Sequence, residues 1–444
     1  MSGSRLVIAA AALAAAATGG VLVVREDAAG PARDAAAAAL RRDVAAPPRG
    51  ASAQERLPAL RAAVAARPEQ PVGHVLLAAT ELQGVRETGD PAGYVRAERS
   101  IDRALALRPG DQGALTERAQ LELARHHFRD GLRDALAARD ADPTVVRPYA
   151  PLVDAYVELG RYGAAARSLQ AMVDRKPEFS GFTRVSYLRE LHGDLPGALG
   201  ALRRARTAGN GSAEGAAFAG ALAGGLELQR GRVGAAGRAY RKALADAPGS
   251  GPAQLGLAKV EAARGRLGAA IRRLRSLVGP RGGTAGDLLP LAELELAAGR
   301  RGAARADLRR ARAHQRRETR SGVDVSVEQA LLEADHGDPR RALAFARGGL
   351  RGSPRGVRAE HALGWALTRG GRAEAGLRHA RRSLRLGWRD PLPLLHAALA
   401  AEAAGEASLA RRWLGRALVG RAWLGPWQAA KAQRALERLG PGTA

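Results

Sequence analysis

The sequence has 444 residues and a formal charge of +26, because 70 lysine and arginine residues outnumber 44 acidic ones. Hydrophobic residues make up 46% of the chain, which excludes a disordered polymer, and the lack of cysteine excludes disulfides and cysteine-dependent metal sites or nucleophiles. Aromatic residues are only 4%, so alanine, leucine and valine must fill the core, which favours closely packed helices over a β-sandwich.

The chain begins with an uncharged, alanine-rich segment at residues 6–24, preceded by Arg5 and ended by Arg25. As a helix it would measure about 28 Å, close to the hydrocarbon thickness of a bilayer. Three interpretations stay open: an uncleaved signal-anchor, a signal peptide cleaved near Ala17, and a buried alanine-rich helix. The first two export the rest of the chain. The sequence therefore predicts a hydrophobic N-terminal helix in residues 1–27, with the protein held at the cell membrane or, alternatively, secreted.

A linker rich in alanine, proline and arginine follows over residues 28–53, and a repeat begins after it. Within the repeat a glycine is followed five residues later by alanine, with glycine spacings of 33, 34 or 38 residues. We interpret the glycine as the end of a first helix and the alanine as a close contact between paired helices. Where the spacing is 38, we expect longer connections. The pairs in register are Gly160/Ala165, Gly193/Ala198, Gly231/Ala236, Gly265/Ala270, Gly299/Ala304, Gly337/Ala342 and Gly405/Ala410.

One unit, residues 146–178, shows the pattern most fully. It carries Tyr149, Leu152, Tyr156, Gly160, Ala165 and Pro177 at matching positions. With a period near 34, these residues resemble the tetratricopeptide repeat (TPR) family, although the tryptophan usual at its fourth position is absent. The resemblance implies an all-α fold, a right-handed superhelical α-solenoid of about nine to ten helical hairpins. Degenerate repeats would cover residues 54–143, clearer repeats 144–424, and a capping helix and tail 425–444.

The resemblance also implies where a partner would bind, since the first helices of TPR units line a concave groove. Two aromatic side chains there, Tyr187 and Trp365, would anchor the partner; packing within the core is the alternative for both. The cluster of Trp413, Trp423 and Trp427 is predicted to form the core of the cap. The groove positions are Arg147, Asp154, Glu158, Tyr187, Glu190, Lys259, Glu293, Asp335, Trp365 and Arg369.

Many arginines fall on the second helices, which would form the convex side, and two explanations stay open. In the first, the arginines form an ordinary solvated polar surface, and their number reflects a composition with 66 arginines and only four lysines. In the second, they bind a polyanion such as an anionic membrane, a cell-surface polymer or nucleic acid. Export and the lack of interleaved aromatic residues argue against nucleic acid.

We find no catalytic motif, no phosphate-binding loop and no metal-ligand spacing. His126 and His127 are adjacent, so on a helix they would point about 100° apart and share a metal poorly. Glu293 and Glu295 likewise point in different directions. The sequence therefore predicts a non-catalytic scaffold without cofactor or metal that binds a peptide or protein partner, with polyanion binding as the alternative.

Overall fold

A computed structural model describes residues 52–208, 213–279 and 282–440, and these ranges contain helices and turns but no strand. The predicted N-terminal helix and all but the last residues of the linker lie outside them. No helix within these ranges is both long and apolar enough to cross a membrane. The helices are α1 (Ala53–Ala66), α2 (Pro71–Thr88), α3 (Ala92–Leu107), α4 (Gln112–Ala124), α5 (Phe128–Ala141), α6 (Tyr149–Glu158), α7 (Tyr162–Arg175), α8 (Phe179–Leu191), α9 (Leu195–Ala208), α10 (Ala213–Gln229), α11 (Val233–Asp246), α12 (Gly251–Ala263), α13 (Leu267–Val278), α14 (Ala285–Ala297), α15 (Arg301–Arg320), α16 (Ser326–His336), α17 (Pro339–Gly352), α18 (Val357–Arg369), α19 (Ala373–Ser383), α20 (Pro391–Ala403), α21 (Ala407–Val419) and α22 (Arg421–Leu439).

The helices α2 to α21 form ten hairpins in the described part of the chain, each even-numbered helix packing on the odd-numbered helix that follows it. Most even-numbered helices also contact the next even-numbered one, so these first helices form the inner layer. The alanine after each turn is the point of closest approach: Ala165, Ala198, Ala236 and Ala270 are all 0% exposed. The repeat seen in the sequence is thus a packing requirement.

The spacing of 38 residues before Gly337 has a different cause from the one expected. The sequence predicts a longer connection near residues 315–324, but α15 continues to Arg320 and is 20 residues long. The extra residues therefore add about one helical turn. The expectation of a longer loop at this point was wrong, because residues 315–320, apart from Thr319, are good helix formers and include no glycine or proline.

Successive turns of the superhelix touch along a line that we call the seam. The turn after α4 meets the start of α16, where the Asp324 amide donates to the Arg125 carbonyl at 2.8 Å. The Ser353 hydroxyl donates to the Glu158 carbonyl, 195 residues away. The backbone amide of Val357 donates to the Tyr162 hydroxyl at 3.1 Å, also across 195 residues. Because each repeat has about 34 residues, one turn of the superhelix takes about six repeats.

The seam explains why the first-helix turns need glycine in some units. Gly160 has a φ of 70°, and a Cβ there would overlap the Arg355 carbonyl of the next turn. Gly265 has a similar φ of 78°, but nothing lies within 4 Å of the same position. His126 stands where the sequence lacks the glycine; it adopts a φ of 63° and its Nδ1 lies 2.8 Å from the Asp324 carbonyl. This cross-seam bond compensates for the backbone strain.

The last helix, α22, is more than a cap. Its residues Ala432 and Ala435 pack on α20 and α21 of the last hairpin, as the sequence predicts for a capping helix. The same helix also contacts α10, α12 and α14, which belong to much earlier units. The first helices of these units form the inner layer, so α22 lies against the inner surface of the superhelix. The three tryptophans predicted to form the core of the cap lie apart from one another. Trp413 of α21 packs within the last hairpin, Trp423 of α22 packs in a cluster with Tyr240, and Trp427 of α22 stacks on His336.

Candidate functional site

The candidate site is the inner surface where α22 meets α14 and α16. The Gln428 amide, which is 0% exposed, donates to Glu293 Oε1 at 2.9 Å and to Asp335 Oδ2 at 3.4 Å. Lys431 Nζ donates to Asp335 Oδ1 at 3.2 Å. Two carboxylates that the repeat register assigns to partner binding therefore bind a helix of the same chain.

Aromatic contacts accompany these polar ones. The Trp427 ring stacks on His336 with centroids 4.6 Å apart, and the Lys431 ammonium lies 3.4 Å from the centre of the Trp427 ring. Lys259 lies 3.5 Å from the centre of the Trp423 ring. Each cation over an aromatic face adds attraction beyond simple burial. Next to them, α12, α14 and the Leu424–Trp427 segment border a small crevice that is partly open to solvent.

A stack of buried rings extends this surface towards α18 and α20. Trp365 lies parallel to His396 at 4.1 Å, and His361 Nε2 is 2.9 Å from His396 Nδ1. Burial lowers the pKa of His396 to about 4 and that of His361 well below its ordinary value, so both rings are neutral near pH 7. One ring must therefore donate and the other accept the hydrogen bond between them.

Asp335 connects the stacked rings with α22. Its Oδ2 lies 3.6 Å from His396 Nε2, and its Oδ1 accepts from Lys431. Burial favours the neutral carboxyl, but Lys431 and the neighbouring histidines outweigh it and hold the pKa of Asp335 below its ordinary value. Asp335 is therefore an anion that needs a cationic neighbour on the inner surface.

The earlier units bury their groove residues in a different way. Asp154 accepts from Arg184 Nη2 at 2.6 Å and from Arg184 Nε at 2.9 Å, and both side chains are buried. Glu158 is also buried, and its pKa is raised by that burial. The Tyr187 hydroxyl accepts from Arg358 Nη1 at 3.4 Å across the seam, and burial raises the pKa of Tyr187. These three predicted groove residues thus lie within the packed layers of repeat helices, which we call the wall.

The other predicted groove positions are spread along the inner layer. Arg147 is exposed and donates to the buried Glu117 at 2.6 Å. Glu190 is half-buried and accepts from Gln229 at 2.7 Å. Arg369 is exposed and donates from Nε to the Ala334 carbonyl at 2.9 Å. The structure therefore brings Glu293, Asp335, Trp365 and Lys259 close to α22 or its neighbours and leaves the others apart.

Four residues of the site escaped the sequence reasoning: His336, His396, Gln428 and Lys431. The two histidines occupy positions outside the ligand set of the repeat. The other two belong to a helix that carries no repeat register. One signal was available, since lysine is rare in this chain and Lys431 is one of only four.

The outer surface carries the arginines predicted for it. Second helices α9 to α21 present exposed arginines in seven consecutive hairpins. Examples are Arg203, Arg204, Arg238, Arg272, Arg309, Arg340, Arg382 and Arg412.

A group of three potential metal ligands, the one such group among the described residues, lies at the turn after α4. Glu122, His127 and Asp130 place ligand atoms within 4.8 Å of one another. His127 Nδ1 already pairs with Glu122 at 2.8 Å, and Asp130 accepts from Arg133 at 2.7 Å. Ion pairs account for this group, and the side chain of His126 contacts the seam instead.

Residues 227–282 match the model of the tetratricopeptide repeat family. No curated protein matches the chain. The match confirms the tetratricopeptide resemblance for these residues, and the other described units have the same paired-helix architecture.

Several solved structures are similar in fold. A tetratricopeptide repeat protein from Parabacteroides merdae shares 16% identity, covers 53% of this chain and 93% of its own, and gives a TM-score of 0.40. The APC/C hetero-tetramer Cut9–Hcn1 also shares 16% identity, with 92% and 73% covered and a TM-score of 0.39. PilW, a type IV pilus biogenesis factor, shares 20% identity, with 46% and 92% covered and a TM-score of 0.38.

Proposed function

We propose that this protein is a non-catalytic scaffold that holds a segment of a partner protein against the inner surface of its superhelix. One observation carries the proposal: the predicted ligand positions Glu293 and Asp335 already bind a helix, α22. The surface offers two carboxylates and stacked aromatic rings, which suit a helical segment bearing a cation, an amide and an aromatic side chain. Aromatic and charged anchors of this kind give most of the binding energy in protein interfaces.

The test is photo-crosslinking in intact cells. Benzoylphenylalanine replaces Arg147 or Arg369, which are exposed groove positions, or the outer residues Arg203 and Arg382 as matched arginine controls. We expect both inner positions to crosslink to the same protein, which the outer positions do not capture. Adducts that are equal on the two faces, or that arise from the outer positions alone, would contradict the proposal.

We further propose that the repeats are exported and held at the cell membrane by the N-terminal segment, with secretion after cleavage as the alternative. The support is the uncharged run at residues 6–24. Membrane fractionation combined with N-terminal sequencing tests this. An intact Met1 in the membrane fraction fits an anchor, a new N-terminus near Thr18 fits a secreted protein, and an intact chain in the cytosol contradicts both.

A second candidate is polyanion binding by the outer arginines, which stand exposed in consecutive hairpins. Such binding releases counterions, so its affinity must fall steeply with salt. The measurement is affinity for vesicles with phosphatidylglycerol at two salt concentrations. Replacement of Arg272, Arg309 and Arg340 by glutamine should reduce the slope; an affinity that is insensitive to salt would end this candidate.

A further inference from the structure

The feature that leads beyond the scaffold is the attachment of α22. The helix is interrupted at Gly425, whose φ of 77° and ψ of 165° are not helical, and Pro426 follows at the start of the longer segment. This break divides the backbone of α22 before residues 426–439, although Ala432 and Ala435 of the segment still pack on the last hairpin. The segment therefore has a single backbone joint about which it can move as a unit.

The side chains that bind the inner surface lie on one face of this segment. Trp427, Gln428 and Lys431 stand at positions i, i+1 and i+4 of a helix, and they contact His336, Glu293 and Asp335 respectively. The corresponding distances are 4.6 Å between ring centroids, 2.9 Å and 3.2 Å. Few other residues of the segment take part in this polar contact. A short helix from another protein would reproduce it with three side chains.

Buried polar atoms remain without a hydrogen-bond partner where α22 meets the inner surface, as they do at some positions of the repeat helices, for example Glu117 Oε2. Glu293 Oε2, Gln428 Oε1 and His396 Nε2 are buried without a hydrogen-bond partner. Each such atom costs stability, because it has left water and gained nothing in return. An occupant with one further donor directed at Glu293 Oε2 would satisfy an atom that α22 leaves unpaired.

Asp335, one of the inner acids near α22, has its lysine partner on α22 and not in the repeats. Asp154 receives an arginine from the next unit, Arg184, whereas Asp335 receives its cation from Lys431 of α22. If α22 leaves, either water or another cation must take the place of Lys431 beside Asp335, so an occupant that brings a cation is favoured. This preference narrows what can displace the helix.

Resting on the proposed function, we infer that α22 is an internal occupant of the partner site and that the partner displaces it. The partner's segment is a helix with an aromatic residue, an amide and a cation at the spacing of Trp427, Gln428 and Lys431. Binding in trans and release of α22 are then one exchange. The free protein is held closed by its own C-terminal helix.

The experiment uses the absence of cysteine from the chain. Ala432→Cys places a thiol in α22 and Ala410→Cys places one in α21, and both alanines are 0% exposed. The probe is a synthetic peptide of residues 426–440. At ten times its dissociation constant for the open form, labelling of Cys at position 432 should rise about tenfold, while labelling at position 410 stays constant.

A peptide carrying Lys431→Glu is the matched control and should leave both rates unchanged. An unchanged rate at position 432 with the wild-type peptide, or an equal rise at both positions, would overturn the inference. Labelling that slows as the protein itself is concentrated would assign the occupant to a second copy and would also overturn it.

A second measurement does not depend on the cysteine variants. Fluorescent peptide 426–440 should bind full-length Lys431→Glu protein about tenfold more tightly than wild type, because the internal competitor is weakened. Lys242→Glu, on the exposed side of α11, is the control with the same charge change. Equal affinities for the three proteins would refute the exchange. The crosslinking test reports a partner at the inner surface whether or not α22 moves, so the two proposals fail separately.

Discussion

Asp154 and Glu293 hold the ninth position of their units, yet different parts of the chain satisfy their carboxylates. Asp154 receives two hydrogen bonds from Arg184, which belongs to the next repeat, and both side chains are sealed in the wall. Glu293 accepts a hydrogen bond from the Gln428 amide of α22, and His336 Nε2 lies 3.3 Å from the same carboxylate. The same repeat position thus serves the wall in one region and a removable helix in the other. Repeat register locates a position but does not decide its use.

The largest expected effect breaks the wall. Arg184→Met leaves the Asp154 carboxylate buried without its partner, so we expect a loss of about 3–5 kcal/mol in the free energy of unfolding. Arg381→Met removes an ion pair with Glu406 that is half exposed on both sides, and should cost about 0–1 kcal/mol. Urea unfolding followed by circular dichroism gives both values. Equal losses would mean that Asp154 is not held by the repeat arginine.

The second prediction concerns the seam, which stabilises the region of the wall around Asp154. Gly160→Ala must adopt a positive φ and also overlap the Arg355 carbonyl, so we expect a loss of about 2–4 kcal/mol. Gly265→Ala meets the same backbone strain in open space and should cost about 1–2 kcal/mol. Thermal unfolding of the two variants compares them directly. Identical midpoints would show that successive turns do not touch in solution.

The third prediction concerns the pH dependence of stability in the region around Asp335 and α22. His396, with a pKa of about 4, faces Asp335, His361 and Trp365, and is neutral in the folded protein. Its stabilising contribution is complete above the unfolded pKa near 6.5 and is lost as the pH falls towards 4. Between pH 7 and 5 we expect wild type to lose about 1–2 kcal/mol more than His396→Gln. Parallel losses in urea titrations at both pH values would contradict this.

The smallest expected effect sharpens the contrast between the wall and α22. Lys431→Met removes the cation from Asp335, but Lys431 is partly exposed, and a detached α22 lets water reach the carboxylate. We therefore expect a loss of about 1 kcal/mol, well below that of Arg184→Met. Lys242→Met on the outer surface should change stability by less than about 0.5 kcal/mol. A loss as large as that of Arg184→Met would make α22 an integral part of the wall.

The sequence predicts the hairpins well because glycine at the turn and alanine five residues later are local requirements of close helix packing. Ala236 and Ala270 are fully buried, as that reasoning demands. The same reasoning also predicts that the acidic side chains lie on the inner surface and the arginines on the outer surface. These features repeat, so many weak signals add up to one register.

The seam and the position of α22 lie beyond such reasoning. His126 forms a hydrogen bond with Asp324, 198 residues later in the chain. The 34-residue repeat pattern gives no indication that these two residues meet. Gln428 meets Glu293 across 135 residues from a helix without repeat register. The pitch of the superhelix decides both contacts, and it arises from small rotations between hairpins that individual residues do not reveal.

The seam has a mechanical consequence. In an open solenoid each repeat touches only its neighbours, so tension peels units away one at a time. Here the coils rest against one another through bonds such as that between the Asp324 amide and the Arg125 carbonyl. The molecule should therefore resist stretching until the hydrogen bonds of the seam break together, and then lengthen abruptly. The links join residues far apart in sequence, so closing the coil should also be the slow step when the chain folds.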